Sequence, residues 1–173
     1  MPLLPLLPLL AAAAAPQGGA CAALQGTSGD VTIDRASAIA PGQEWSAEAG
    51  RQGRNPYAPT PVNVGFCRVE GRIEGTIGFE LWLPQQWNGR LLGAGVGGDA
   101  GVYNYRDLSI RDAQGFAAVT TDSGHKITQV RWMRESKARV DYEHRASHLT
   151  AQAAKALVAR FYGQAPSRSY YLG

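Results

Sequence analysis

The sequence predicts an α/β protein whose sheet carries an antiparallel meander at one edge, and three observations carry the prediction. First, Val62, Val64 and Phe66 alternate, Val69 to Ile73 continue the pattern, and Ile77, Phe79, Leu81 and Leu83 alternate up to Pro84. That is the signature of half-buried strands following one another closely. Second, Gly115 to Thr121 is a continuous apolar run, as expected of a strand covered on both faces. Third, Tyr142, Ala146, Leu149, Ala153, Ala156, Leu157 and Phe161 recur at three- and four-residue spacing, which predicts a helix over 142–162. Asp141 reads as its N-cap and Gly163 as its stop, followed by Pro166.

Taken in order, residues 1–20 carry no charge, with Leu and Pro to Leu10 and a small-residue run from Ala11 to Ala15. This resembles the apolar core and cleavage region of a secretory signal, although no Lys or Arg precedes it and prolines interrupt it. The run is shorter than the roughly 20 residues a membrane-spanning helix needs. Before Cys21, Gly18 stands where a lipoprotein cleavage box has an aliphatic residue. Residues 21–60 read as an N-terminal strand and loop region. Gln25 to Ile33 forms one short strand, and Ala40 to Pro61, rich in Gly, Pro, Asn and Gln, forms loop.

Residues 61–173 carry the sheet. After the meander, Trp87-Asn88-Gly89 is a turn and Leu91 to Gly95 the next strand. No amphipathic helix opens after the glycines that follow, because Val102-Tyr103-Asn104-Tyr105 comes next. The strand at 115–121 ends in the polar turn Asp122-Ser123-Gly124-His125, and Ser169 to Gly173 adds a last strand after the long helix.

With 17 basic and 14 acidic residues the net charge is a modest +3. The one basic cluster, Arg131, Arg134, Lys137 and Arg139, contains Glu135 and matches no nucleic-acid motif, so it reads as a solvated loop. Cys21 and Cys67 are the only cysteines. In an exported chain an even count favours a disulfide, and two unrelated buried thiols are the alternative.

The chemistry concentrates in Gly93 to Gly101. Glycine lets a ligand approach the main chain, and successive bare N–H groups form an anion-binding concavity. The anion is a phosphate, or the oxyanion formed when an ester is attacked. There is no G-x-x-x-x-G-K-[ST], and Gly93 to Gly98 departs from the dinucleotide pattern. From the glycines alone a plain surface turn remains an equal reading. A strand ending in Gly directly after a long helix is how an α/β-hydrolase approaches its nucleophile, whose oxyanion hole borrows an N–H from an earlier glycine loop.

Phe66-Cys67-Arg68-Val69, Glu80 to Pro84, Trp87 to Arg90, the Gly95–Gly101 loop, Gly115 to His125, Arg145 to His148 and Ser169 to Gly173 together resemble the tannase and feruloyl esterase family of α/β-hydrolases, in family order from about residue 60 onward. The resemblance implies the N-terminal part of an α/β-hydrolase sheet, incomplete. It also implies an exported serine carboxylesterase, periplasmic or secreted, acting on small galloyl, feruloyl or related aromatic esters, with no nucleic-acid partner and no membrane after signal removal. Family members continue after the equivalent of Gly173 with Cys-Ser-x-Gly-Gly, which carries the nucleophile, then a lid that often holds calcium, then the catalytic Asp and His. The residues present therefore imply no cofactor, and the 173 residues alone are expected to be inactive. The family pairs an early cysteine with the one in Cys-Arg-Val, which implies Cys21–Cys67. The N–H of Gly97, with Gly98 as its neighbour, is the implied oxyanion donor.

Other groups carry blander readings. Asp122, Ser123 and His125 lie too close in one turn to form a triad, which assembles from separate loops, and read as structural. His144 and His148 have the i, i+4 spacing of metal ligands, but Glu143 is misplaced for H-E-x-x-H, so they read as packing or hydrogen-bonding histidines. Trp82 and Trp87 read as packing the core and the turn, and Trp132 as a possible wall of an aromatic pocket. Two rivals remain: a non-catalytic exported binding or interaction module that keeps the sheet, and a metal hydrolase using His144 and His148. Coding sequence downstream that reads Cys-Ser-x-Gly-Gly would decide for the esterase.

Overall fold

In a computed structural model of the chain, residues 17–42, 45–46 and 56–173 are described, so most of the signal-like segment lies outside the described residues. Helix α1 (Gln17–Ala22) leads into the hairpin β1 (Gly26–Ser28) and β2 (Val31–Ile39). Strands β3 (Phe66–Ile73), β4 (Ile77–Pro84) and β5 (Arg90–Ala94) follow, then helix α2 (Tyr105–Ala113) and β6 (Ala117–Thr121). A 3-10 turn (Trp132–Arg134), α3 (Ser136–Val140), one π-helical turn (Asp141–Arg145) and α4 (Ala146–Tyr162) lead to β7 (Arg168–Leu172).

The strands form one sheet in the order β1-β2-β3-β4-β6-β5-β7. From β1 to β6 every neighbouring pair is antiparallel, whereas β6-β5 and β5-β7 are parallel. The meander at one edge and the parallel part at the other are as the sequence predicts. Helices α2 and α4 cover opposite faces. One core cluster joins Ile77, Phe79, Leu81 and Leu83 of β4 to Ala153, Ala154, Leu157 and Val158 of α4. The other joins Trp82, Phe66 and Leu92 to Tyr105 and Leu108 of α2. Alternate residues of one strand thus serve two cores, as the pleat requires.

Several expectations are corrected. Gln25 to Ile33 is not one strand but a hairpin, because Gly29 takes φ 57° and turns the chain. Val62 lies outside β3 and makes an isolated bridge to Trp45. Strand β4 is buried on both faces rather than one, because helix α2, absent from the sequence reading, covers the second. That helix is capped by Asn104, whose Oδ1 accepts the Asp107 N–H at 3.1 Å. Asp141 is no N-cap. The helix opens earlier, at Ser136, and the fully buried Asp141 carboxylate pairs with Lys137 and Arg145. The basic cluster is helical rather than loop, and Lys137 also bonds Glu74. At the far end Gly163 stops α4 in the left-handed region, φ 73°, as expected.

Buried Glu80 organises the α2 face. It accepts hydrogen bonds from Arg68, Trp82 Nε1 and the Tyr105 hydroxyl. Cys21 and Cys67, both buried, are joined by a disulfide with Cα atoms 5.6 Å apart, which ties α1 to β3.

Candidate active-site loop

The parallel strands β6, β5 and β7 end on the same side of the sheet, and the loops leaving β5 and β6 meet there. Both chain directions at this edge are fixed by backbone hydrogen bonds. Gly95 N–H donates to the Leu172 carbonyl at 2.7 Å, so the glycine loop starts against the end of β7. A Cβ on Gly95 would lie 2.5 Å from the Tyr171 hydroxyl and 3.2 Å from the Leu172 carbonyl, so a side chain there would displace the exposed Tyr171 ring. Asn104 Nδ2 donates to the Gly95 carbonyl at 2.7 Å, which ties the start of the loop to the cap of α2.

Within the loop, Ala100 N–H donates to the Gly97 carbonyl at 3.3 Å, closing a four-residue turn with Gly98 at φ 62°. Gly97 N–H donates to the Tyr57 hydroxyl at 2.8 Å. Gly98 N–H has no hydrogen-bond partner among the described residues. The Gly98 carbonyl accepts from the Tyr142 hydroxyl at 2.8 Å, and the Asp99 carbonyl lies 2.6 Å from His125 Nε2. Gly101 N–H donates to the Asp122 carbonyl at 3.2 Å and returns the chain to the sheet. The left-handed backbone belongs to Gly98, Ala100 and Gly101, not to Gly97, which does not itself require glycine conformationally.

The turn after β6 plays the structural part the sequence suggested. Asp122 Oδ1 accepts the N–H groups of Gly78 and Gly124, and Oδ2 pairs with Lys126. Burial pushes the Asp122 carboxyl up from its ordinary range, and Lys126 opposes the shift. Ser123 and Gly124 are both left-handed, at φ 64° and 86°. A Cβ on Gly124 would meet Asp141 Cβ at 2.7 Å, so the turn packs directly on the helix. The three side chains do not converge on one another. His125 is buried and stacks on Trp132 with ring centres 3.8 Å apart, and Tyr142 packs against both rings.

His144 and His148 are exposed, which overturns the packing reading, and among the described residues no cluster of His, Cys, Asp or Glu is arranged to hold a metal. Trp82 is fully buried, while Trp87 stacks on Tyr162 at 4.1 Å. Trp132 backs His125 rather than lining an open pocket. Sequence reasoning missed Tyr57, Asn104 and the role of Tyr142. Asn104 had a signal, since an Asn three residues before an Asp is a capping pattern. The bond from Gly97 to Tyr57, 40 residues away, has none.

The family described as tannase and feruloyl esterase matches residues 62–173. The "Probable feruloyl esterase B-2" of Aspergillus flavus is 38% identical over 117 residues, covering 65% of this chain and 22% of that protein. A "Probable feruloyl esterase B-1" of Aspergillus oryzae is 33% identical over 120 residues. The chain therefore spans about a fifth of the length of the curated relatives it matches. Among solved structures, feruloyl esterase B from Aspergillus oryzae superposes with TM-score 0.77 at 26% identity, covering 91% of this chain and 32% of that one. Tannin acyl hydrolase from Aspergillus niger, at 20% identity and TM-score 0.63, shares the fold. The family match over residues 62–173, with the shared fold, places the chain in the tannase and feruloyl esterase family of α/β-hydrolases.

Proposed function

We propose that this chain supplies the oxyanion loop and the N-terminal part of the sheet of an exported serine carboxylesterase that cleaves small aromatic acid esters, galloyl, feruloyl or related. The observation that carries the reading is the glycine loop itself. It leaves β5 against the end of β7, with the Gly98 N–H unpartnered among the described residues and the Gly97 N–H held by the Tyr57 hydroxyl. The family carries its nucleophilic serine just after the strand equivalent to β7. That serine would attack the ester carbonyl, its proton passing to a basic histidine, and negative charge would gather on the carbonyl oxygen. N–H groups fixed beforehand at that position lower the barrier, because they need no reorganisation when the charge appears. Gly97 and Gly98 are the donors. The Tyr57 hydroxyl satisfies Gly97 until the substrate oxygen takes its place.

The Cys21–Cys67 disulfide supports an oxidising compartment. No helix among the described residues is long and apolar enough to cross a membrane. The test is hydrolysis of methyl ferulate and methyl gallate by the full-length protein, with release of the free acid followed by chromatography. Release that disappears when the nucleophilic serine is replaced supports the esterase. A folded full-length protein that binds these esters and releases no acid would favour the binding module.

A further inference from the structure

The bonds that hold the loop form a directed series. His125 Nε2 faces the Asp99 carbonyl at 2.6 Å, and a carbonyl only accepts, so Nε2 carries the hydrogen. The Asp99 carbonyl belongs to the same rigid peptide plane as the Ala100 N–H. That N–H donates to the Gly97 carbonyl, whose peptide plane carries the Gly98 N–H. The series thus runs from the imidazole through two peptide groups and ends at the Gly98 N–H, which, like those of Val96 and Asp99 in the same loop, has no hydrogen-bond partner among the described residues. Each donor in such a series polarises the next, and each bond fixes the orientation of a plane.

The histidine is itself held for this task. It is 2% exposed, stacked on Trp132 and flanked by Tyr142, whose hydroxyl grips the neighbouring Gly98 carbonyl. Its other nitrogen, Nδ1, is buried with no hydrogen-bond partner among the described residues. A buried unpartnered acceptor is a net cost, which an apolar side chain of similar shape would avoid. Stability alone does not account for imidazole here, whereas a donor needed at Nε2 does.

We propose that His125 is a positioning residue. Its Nε2–H aims and polarises the Gly98 N–H through the Asp99–Ala100 and Gly97–Gly98 peptides, making Gly98 the donor that meets the oxyanion. The proposal rests on the esterase reading of this loop. In the full-length enzyme, His125→Phe keeps a ring against Trp132 and removes the donor, whereas His125→Gln places an amide N–H near the former Nε2. Should the Phe variant fail to fold, His125→Leu carries the same expectation.

With methyl ferulate as substrate, the Phe variant should lose about 10-fold or more in kcat at unchanged KM. That is less than the roughly 100-fold or larger loss from deleting an oxyanion donor outright. The Gln variant should recover most of it. Amide hydrogen exchange of the 95–101 segment, read by mass spectrometry, should accelerate in Phe and return toward wild type in Gln. Wild-type kcat in both variants would overturn the proposal. So would a fall in kcat that tracks melting temperature and is not rescued by Gln. If the wild-type protein hydrolyses no ester, the esterase reading fails and the exchange experiment decides alone. Faster exchange in Phe and not in Gln still assigns the hold to His125, and equal exchange in all three overturns it.

Discussion

Arg68 Nε lies 2.5 Å from Glu80 Oε1, a partly buried ion pair between adjacent strands under helix α2, and Arg68 also reaches Glu70 Oε1 at 3.3 Å. Burial works against the Arg68 charge, yet the hydrogen bond and attraction from Glu80 leave its pKa raised. Tyr105 is pushed up as well, first by burial and then by the Glu80 charge it donates to.

Glu80→Ala should therefore cost about 2–4 kcal/mol, because Trp82 and Tyr105 lose their buried acceptor and Arg68 keeps only its longer contact to Glu70. Glu80→Gln should cost less, since its amide oxygen still accepts from Trp82 while its NH2 can donate to the Tyr105 hydroxyl oxygen. Chemical denaturation of the variants checks both, and a loss under about 1 kcal/mol for the Ala variant would contradict the account.

Asp112 predicts a pH dependence. Its carboxyl is buried, both oxygens lack a partner among the described residues, and burial raises its pKa to about 8. A group whose folded pKa lies above its unfolded value is disfavoured in its charged form by the fold. The penalty is absent below about pH 4, where both states are protonated, grows as pH rises toward 8, and is constant above. Asp112→Asn removes the ionisation. The variant should gain on wild type by about 1–3 kcal/mol between pH 5 and 8 in denaturant titrations, an ordinary size for a buried unsatisfied group. A difference that does not change with pH would contradict this.

The disulfide closes a loop of sequence separation 46. In the chain-entropy model its removal destabilises by about 4 kcal/mol. Cys21→Ser with Cys67→Ser should lower the melting temperature accordingly, and a non-reduced digest of exported protein should show the two peptides linked. Two free thiols in that material would contradict the pairing.

His148 is exposed on α4 near the start of the helix. His148→Ala should change stability by no more than about 0.5 kcal/mol, as for most exposed substitutions, and leave ester turnover unchanged. Loss of turnover without loss of stability would revive a metal-dependent reading.

These residues also show what the sequence made legible. Strands β3 and β4 and the body of α4 announce themselves because burial imposes a period of two or 3.6 on apolar side chains, and β6 because burial on both faces makes a continuous apolar run. Helix α2 does not, since Ser109 and Asp112 occupy its inner face and spoil that period. Asp141 reads as a cap because an acidic residue at a helix start is a common signal, yet here its carboxylate answers Lys137 and Arg145 inside a helix that opened earlier. The glycine loop was visible as composition and order. Its bracing by Tyr57, His125 and Tyr142 was not, because contacts spanning 26 to 44 residues leave no local pattern.

The central claim, that the 95–101 loop holds the oxyanion, is tested most directly by Gly97→Ala and Gly98→Ala in the full-length enzyme. A Cβ on Gly97 would sit 3.2 Å from the Tyr57 hydroxyl in an otherwise open space, so the fold should tolerate it. Gly98 is left-handed with open space around it, so alanine there should cost about 1–2 kcal/mol of backbone strain. The measurement is kcat on methyl ferulate beside melting temperature. The account predicts that turnover falls by about 100-fold or more in at least one variant while melting shifts by only a few degrees. Wild-type turnover in both variants would contradict it and reduce the loop to a turn.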